Sequence, residues 1–161
     1  LVEHSQKFDQ LFKALEHEEL PKKGIFYNGQ VFDAYTFVAD LIRKADKSLI
    51  LIDNYIDDSV FTLFTKRKKN VDFTCYTKTI NKSLRLDLKK HNEQYAPIQL
   101  KQLNESHDRF LIIDEKELYH IGASVKDLGK KWFAFSKMDI TAFSLLKQLK
   151  NKSRKIWLMN Q

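Results

Sequence analysis

The chain contains a single cysteine and no apolar run long enough to span a bilayer. One thiol cannot build an internal disulfide framework, and no signal peptide opens the chain, so a cytoplasmic protein without disulfides is expected. Cys75 falls in the alternating segment Val71-Asp72-Phe73-Thr74-Cys75-Tyr76, on the face of Val71 and Phe73. That placement suits a small core residue better than a nucleophile or a ligand. Internal repeats and low-complexity segments are absent. The five histidines do not fall at metal-ligand spacing, so neither a metal nor another cofactor is expected.

What is present reads as one globular domain. With 161 residues, 43% hydrophobic and 12% aromatic, the chain can bury a core and shows no compositional mark of disorder. It opens at Leu1 inside a helical pattern, as expected of a piece of a longer protein. The net charge of +7 is concentrated toward the end. From 126 to 161 there are nine basic residues (Lys126, Lys130, Lys131, Lys137, Lys147, Lys150, Lys152, Arg154, Lys155) against Asp127 and Asp139, while residues 1–125 balance at nineteen of each sign. A one-sided basic C-terminal segment favours a polyanionic partner, nucleic acid or anionic lipid; the plainer alternative is a solvated helix face.

Along the chain, Leu1, Phe8, Leu11, Phe12 and Leu15 make an apolar stripe at helical spacing. Pro21-Lys22-Lys23-Gly24 closes it, giving an N-terminal amphipathic helix and linker over 1–20, a candidate dimerisation helix, before a single domain over 24–161. Asn28-Gly29 between Ile25-Phe26-Tyr27 and Gln30-Val31-Phe32 predicts a tight hairpin. A helix follows from about Asp33, then a buried central strand, Ser48-Leu49-Ile50-Leu51-Ile52. Asp57, Asp58 or Ser59 should cap a short helix. Next come a strand at 71–78, a helix from Asn81 or Ser83 to about Tyr95, and an edge-like strand after Pro97. Strands at 108–114, 118–121 and around 132–135 precede a last helix from about Asp139 or Thr141 to Trp157. Strands alternating with helices predict an α/β fold, a mixed central β-sheet flanked by helices.

The segment richest in chemistry is His107-Asp108-Arg109-Phe110-Leu111-Ile112-Ile113-Asp114. Read as a strand, it points His107 and Arg109 to one face with Leu111 and Ile113, and Phe110 and Ile112 to the other. An imidazole beside a guanidinium is equipment for holding a phosphate and attacking it. The spacing resembles the His-x-Lys-(x)4-Asp signature of the phospholipase D superfamily, with Arg109 in the lysine position. The longer stretch from Ser106 to Lys137, with Gly122-Ala123-Ser124 and Trp132, is similar to the C-terminal domain of phage-type bacterial DNA-binding proteins that carry an ORF-six-N module and are related to phage antirepressors. The likeness covers about Phe26 to Met138 and implies a phospholipase D-like sandwich.

The resemblance also implies roles. The superfamily site is assembled from two such motifs, and this chain holds one, so a homodimer is implied, with one His107 as nucleophile and the other as general acid. Arg109 would clamp phosphate oxygens with Ser124 and Lys126, and Asp114 would orient an imidazole. The chain differs from the pattern in three ways: arginine replaces lysine, Gly122-Ala123-Ser124-Val125 stands where Gly-Ser-x-Asn is usual, and that segment starts one residue later than the usual spacing. Histidine-x-arginine variants of the fold include non-catalytic relatives that bind phosphoinositide-bearing membranes. Lys130, Lys131 and Trp132 are candidates for gripping nucleic acid, the indole by stacking on bases; the large aromatic complement of the core argues for packing of Trp132 and Phe135 instead. Lys66-Arg67-Lys68-Lys69 reads as a solvated helix end, and Asp53-Asn54-Tyr55 closes the aliphatic strand where α/β sheets present ligand-binding groups. Four functions stay open: a phosphate-recognising dimer module acting on or near DNA, a metal-independent phosphodiesterase or nuclease, a pure oligomerisation module, and an anionic-lipid binder. An isolated histidine with an Arg–Asp salt bridge is the structural alternative.

Overall fold

The computed structural model describes residues 20–138 and 142–159, with the side chains of 143 and 153–159 excepted. The expected N-terminal helix and its part in dimerisation therefore lie outside the described residues. In chain order the elements are β1 (Lys23–Phe26), α1 (Val31–Lys44), β2 (Ser48–Ile52), α2 (Asp58–Phe64), β3 (Asp72–Thr77), α3 (Lys82–Gln94), β4 (Ile98–Gln102), β5 (Arg109–Ile113), β6 (Glu117–Ile121), β7 (Phe133–Met138) and α4 (Ala142–Met159). A short 3-10 turn, Val125–Asp127, interrupts the β6–β7 connection.

The seven strands form one mixed sheet in the order β1-β7-β6-β5-β2-β3-β4. β2, β3 and β4 run parallel, and the remaining pairs are antiparallel. The interior strand β2 owes its place to composition. Leu49 and Leu51 of β2 enter the main core beneath α1 and α2, while Ile50 and Ile52 pack on the other face with Leu145, Leu146 and Leu149 of α4. A strand buried on both faces needs a continuous aliphatic run, and β2 has one. β5 divides as its alternation predicts: Leu111 and Ile113 join the main core, and Phe110 and Ile112 meet α4. Cys75 is fully buried among the main core residues as a free thiol, and burial holds it well above the ordinary thiol range. It is thus an inert packing residue.

Helix starts coincide with the capping residues. Asp57 accepts from Ser59 N at 3.0 Å ahead of α2, and Asn81 accepts from Leu84 N at 2.8 Å ahead of α3.

Two expectations are overturned by the fold. Asn28-Gly29 does not make a hairpin. It forms a turn, with Gln30 N donating to Tyr27 O at 3.2 Å and Gly29 at φ +88°, that delivers the chain into α1, and β1 pairs instead with β7. Nor is Arg67 solvated. It is buried beneath the α2–β3 connection, where its guanidinium donates to Val71 O at 3.0 Å, Phe64 O at 2.9 Å and Ala96 O at 2.7 Å. Its planar fork of donors satisfies several carbonyls at once, which an ammonium could not do.

Candidate functional site

The topology gathers functional side chains at one end of the sheet. The parallel strands β2 and β3 finish there, β5 and β7 begin there, and β6 ends there. Continuing the β2–β5 register one step beyond Ile52↔Phe110 sets Asp53 opposite Arg109 on the main-core face. Arg109 in turn stands opposite Ile121, so Gly122 to Ser124 lie alongside.

Asp53 is the fixed point of this end. Its backbone N donates to Tyr76 O at 3.0 Å. Its carboxylate, fully buried, accepts from Ser124 Oγ at 3.0 Å on both oxygens, from Val125 N at 2.7 Å and from Tyr55 N at 3.1 Å. Burial pushes its pKa up, opposed by the donors Val125, Tyr55 and Ser124 and by the nearby Arg109 charge. One side chain therefore clamps the end of β2 to a loop some 71 residues away in the chain.

Ser124 is consumed in that clamp. It is buried, and its one hydroxyl proton is directed at Asp53, with Tyr55 O a further acceptor at 3.3 Å. The expected role as a phosphate donor does not fit this geometry, because a hydroxyl carries a single O–H. Ser124 and Asp53 support the site, and Arg109 faces it. The guanidinium of Arg109 is half-buried, its carbon 5.9 Å from the centre of the exposed Tyr55 ring.

His107 lies outside the strand, in the bend before β5, so the expectation that strand alternation aligns it with Arg109 does not apply. The local hydrogen bonds explain the break. Ser106 Oγ donates to Asp108 O at 2.8 Å, and Asn54 Nδ2 donates to Ser106 O at 2.6 Å, drawing the backbone away from ladder pairing. Among the described residues the His107 side chain has no hydrogen-bond or ion-pair partner, and the residue is exposed. Asp108 lies 3.5 Å from Nε2 of His120, whose neighbours along β6, Tyr119 and Ile121, point to the main core.

Asp114 does not belong to this end. It follows β5 at the opposite end of the sheet, about 17 Å from Arg109 at about 3.4 Å per residue. There its carboxylate accepts from the backbone N–H groups of Asp46 (3.0 and 3.1 Å), Lys47 (2.7 Å) and Ser48 (3.1 Å). It cannot orient His107; it anchors the start of β2.

The basic candidates do lie at the site end. Lys126 is exposed, 3.9 Å from Asp127, and Lys130 pairs with the same carboxylate at 3.2 Å. Lys131 is exposed, and Trp132 is 69% exposed, touching Tyr27 edge-on at a centroid distance of 4.8 Å. The packing expected of Trp132 is therefore not what it does, whereas Phe135 is buried. With two strand spacings between β5 and β7, about 10 Å separates the lines of Arg109 and Lys131. No cluster of metal-ligating side chains occurs among the described residues, and none of their helices is long and apolar enough to cross a membrane.

No family model and no curated protein matches the sequence. Among solved structures the chain resembles TrmBL2, an archaeal chromatin protein whose structure shows a novel mode of DNA binding. The TM-score is 0.52 and the identity 13%, over 96% of this chain and 61% of that one. It also resembles NucT from Helicobacter pylori, with a TM-score of 0.56 and 14% identity over 82% of this chain and 94% of that one. The chain thus spans 61% of the chromatin protein's length. At such identities the likeness establishes a shared fold: an α/β domain with a mixed seven-stranded sheet and helices on both faces.

Proposed function

We propose that this chain is a phospholipase D-like, phosphate-recognising domain that pairs with a second copy of itself and acts on or near DNA within a phage-type DNA-binding protein. The observation that carries the reading is the exposed His107, without a side-chain partner among the described residues, near a half-buried Arg109 at the strand ends that also present Lys126, Lys130, Lys131 and Trp132. Guanidinium binds phosphate bidentately, the lysines add sequence-independent attraction to a nucleic-acid backbone, and an exposed indole can stack on a base. The likeness to a DNA-binding chromatin protein supports DNA over other polyanions.

A second reading, a metal-independent phosphodiesterase or nuclease, is favoured by a His107 side chain that no described residue engages. Its Nε2 lone pair would attack phosphorus to give a phosphohistidine. The leaving oxygen would take a proton from His107 of the partner subunit, and water would then release the phosphate.

One experiment separates the readings: DNA binding and metal-free cleavage, with EDTA, on single- and double-stranded DNA and a chromogenic phosphodiester, beside His107→Ala and Arg109→Ala. Recognition without catalysis predicts binding that survives His107→Ala, falls at least about tenfold with Arg109→Ala and weakens with salt. Turnover that vanishes in His107→Ala establishes the nuclease. Absence of both refutes the two readings and leaves an oligomerisation module. Vesicle co-sedimentation that DNA does not compete away points to anionic lipid.

A further inference from the structure

A cavity of about 410 Å³ opens beside the phosphate-facing residues, between the β2–α2 and β3–α3 connections; Asn54, Tyr55, Asp57, Lys78, Thr79 and Asp87 are among its lining. Its volume falls in the small-ligand range of about 300–1,000 Å³. Tyr55 belongs to both places: it lines the cavity, and its ring stands 5.9 Å from the Arg109 guanidinium carbon. A group held at Arg109 therefore has its substituents about one side chain's width from the cavity.

The lining decides which part of a nucleotide fits. Two carboxylates, Asp57 and Asp87, face one ammonium, Lys78, so a further phosphate is disfavoured there. Asp57 is committed to capping α2 through Ser59, and Asn81 to capping α3 through Leu84 N. Asp87 has no hydrogen-bond or ion-pair partner among the described residues. An uncommitted carboxylate in a cavity seeks a donor; on an unpaired base it matches an exocyclic amine, as carboxylates do with cytosine N4, better than the thymine N3–H, whose two flanking carbonyl oxygens repel it. Tyr55, 58% exposed, offers the stacking face that a base requires.

We propose that this cavity receives the nucleobase adjoining a phosphodiester held at Arg109, and that Asp87 favours bases with an exocyclic amine over thymine. The proposal rests on the phosphate-recognition reading above. It requires an unpaired base, since a base stacked in duplex cannot enter without being extruded.

The test is fluorescence anisotropy at pH 7.5 with EDTA, using end-labelled single-stranded oligo-dC, oligo-dT and an abasic strand of equal length, each confirmed intact after measurement. The expected order is oligo-dC about tenfold tighter than oligo-dT, with the abasic strand weakest. Asp87→Ala should bring oligo-dC to the level of oligo-dT without weakening oligo-dT, while Arg109→Ala should weaken all three alike. Equal affinity for the three strands, lost on Arg109→Ala, would overturn the base pocket and leave phosphate recognition standing. A preference for dC that persists in Asp87→Ala would overturn the role of Asp87. Binding of none of the strands would overturn both readings.

Discussion

Replacing Asp114 with alanine separates scaffold from site within one motif. The carboxylate holds three backbone N–H groups at the head of β2, those of Asp46, Lys47 and Ser48, at 2.7–3.1 Å. Hydrogen bonds to a charged acceptor are worth about 1.5–3 kcal/mol each. Asp46 and Lys47 are exposed, so water replaces the carboxylate at those two donors after truncation, and the half-buried Ser48 N–H carries most of the loss. That sets a cost of about 2 kcal/mol for the bonds. Asp114 also sits at φ +55°, a conformation that alanine tolerates less well than aspartate and that adds about 1 kcal/mol. The expected total is about 3 kcal/mol, which for a chain of this size lowers Tm by about 6–12 °C. Asp114→Asn keeps an acceptor oxygen and the tolerance for positive φ, and should cost about 1 kcal/mol. The pH dependence has a definite sign. Desolvation raises the Asp114 pKa, but the Lys47, Asp46 and Ser48 N–H groups together outweigh it, so the folded value lies below the ordinary 3.8. A carboxylate so shifted stabilises fully above its unfolded pKa and loses that contribution as pH falls through its folded pKa. Urea melts should therefore show a wild-type advantage that is constant near neutrality and shrinks below about pH 4. An Asp114→Ala protein with unchanged Tm that fails to bind or cleave DNA would refute this reasoning and return Asp114 to the site.

Asp53→Asn should cost about 2–3 kcal/mol, because an amide cannot accept from Ser124, Val125 and Tyr55 together and turns a donor toward one of them. Since burial raises the Asp53 pKa, the wild type should lose stability as pH rises from 3.8 through the folded value, a slope missing from Asp53→Asn urea melts. Gly129→Ala should be far worse than Gly29→Ala although both sit at positive φ. A Cβ on Gly129 would lie 2.4 Å from Val31 Cα, whereas nothing lies within 4 Å of one on Gly29. Thermal melts should show about 1–2 kcal/mol for Gly29→Ala and more than about 3 kcal/mol, or no folded protein, for Gly129→Ala.

The features legible from sequence were those whose cause is local. The aliphatic run of β2, the alternation along β5, the caps Asp57 and Asn81 and the burial of Cys75 each arise from a few neighbouring residues. The features that escaped depend on partners far along the chain. Asn28-Gly29 signals a turn without specifying the element that the turn leads into, and β1 finds its partner in β7, more than a hundred residues on. The aromatic richness of the core suggests packing for Trp132, yet it sits at the end of the β6–β7 connection, largely exposed and in T-shaped contact with Tyr27. The Asp53–Ser124 clamp joins residues that no spacing rule connects, though Asp53 at the end of an aliphatic strand was a fair hint. Arg67 hid in a run of four cations, and only the carbonyls around it distinguish it from its neighbours.

The motif itself turns out to be a device with two unlike ends. Asp114 stands five positions after Arg109, the length of β5, and a strand buried on both faces keeps those ends apart rigidly. The acid therefore cannot serve the imidazole, whatever reaction takes place, because the spacing that makes the motif recognisable is the spacing that separates them. A match to such a pattern is evidence for a strand anchored at one end and open at the other, and so for a fold. Evidence for function has to come from the open end, where Asp53 and Ser124 fix the loops and leave Arg109, Tyr55 and His107 facing outward. That division tells mutagenesis where to look: changes at Asp114, Asp53 and Ser124 should register first in stability, and changes at His107, Arg109 and Tyr55 first in binding.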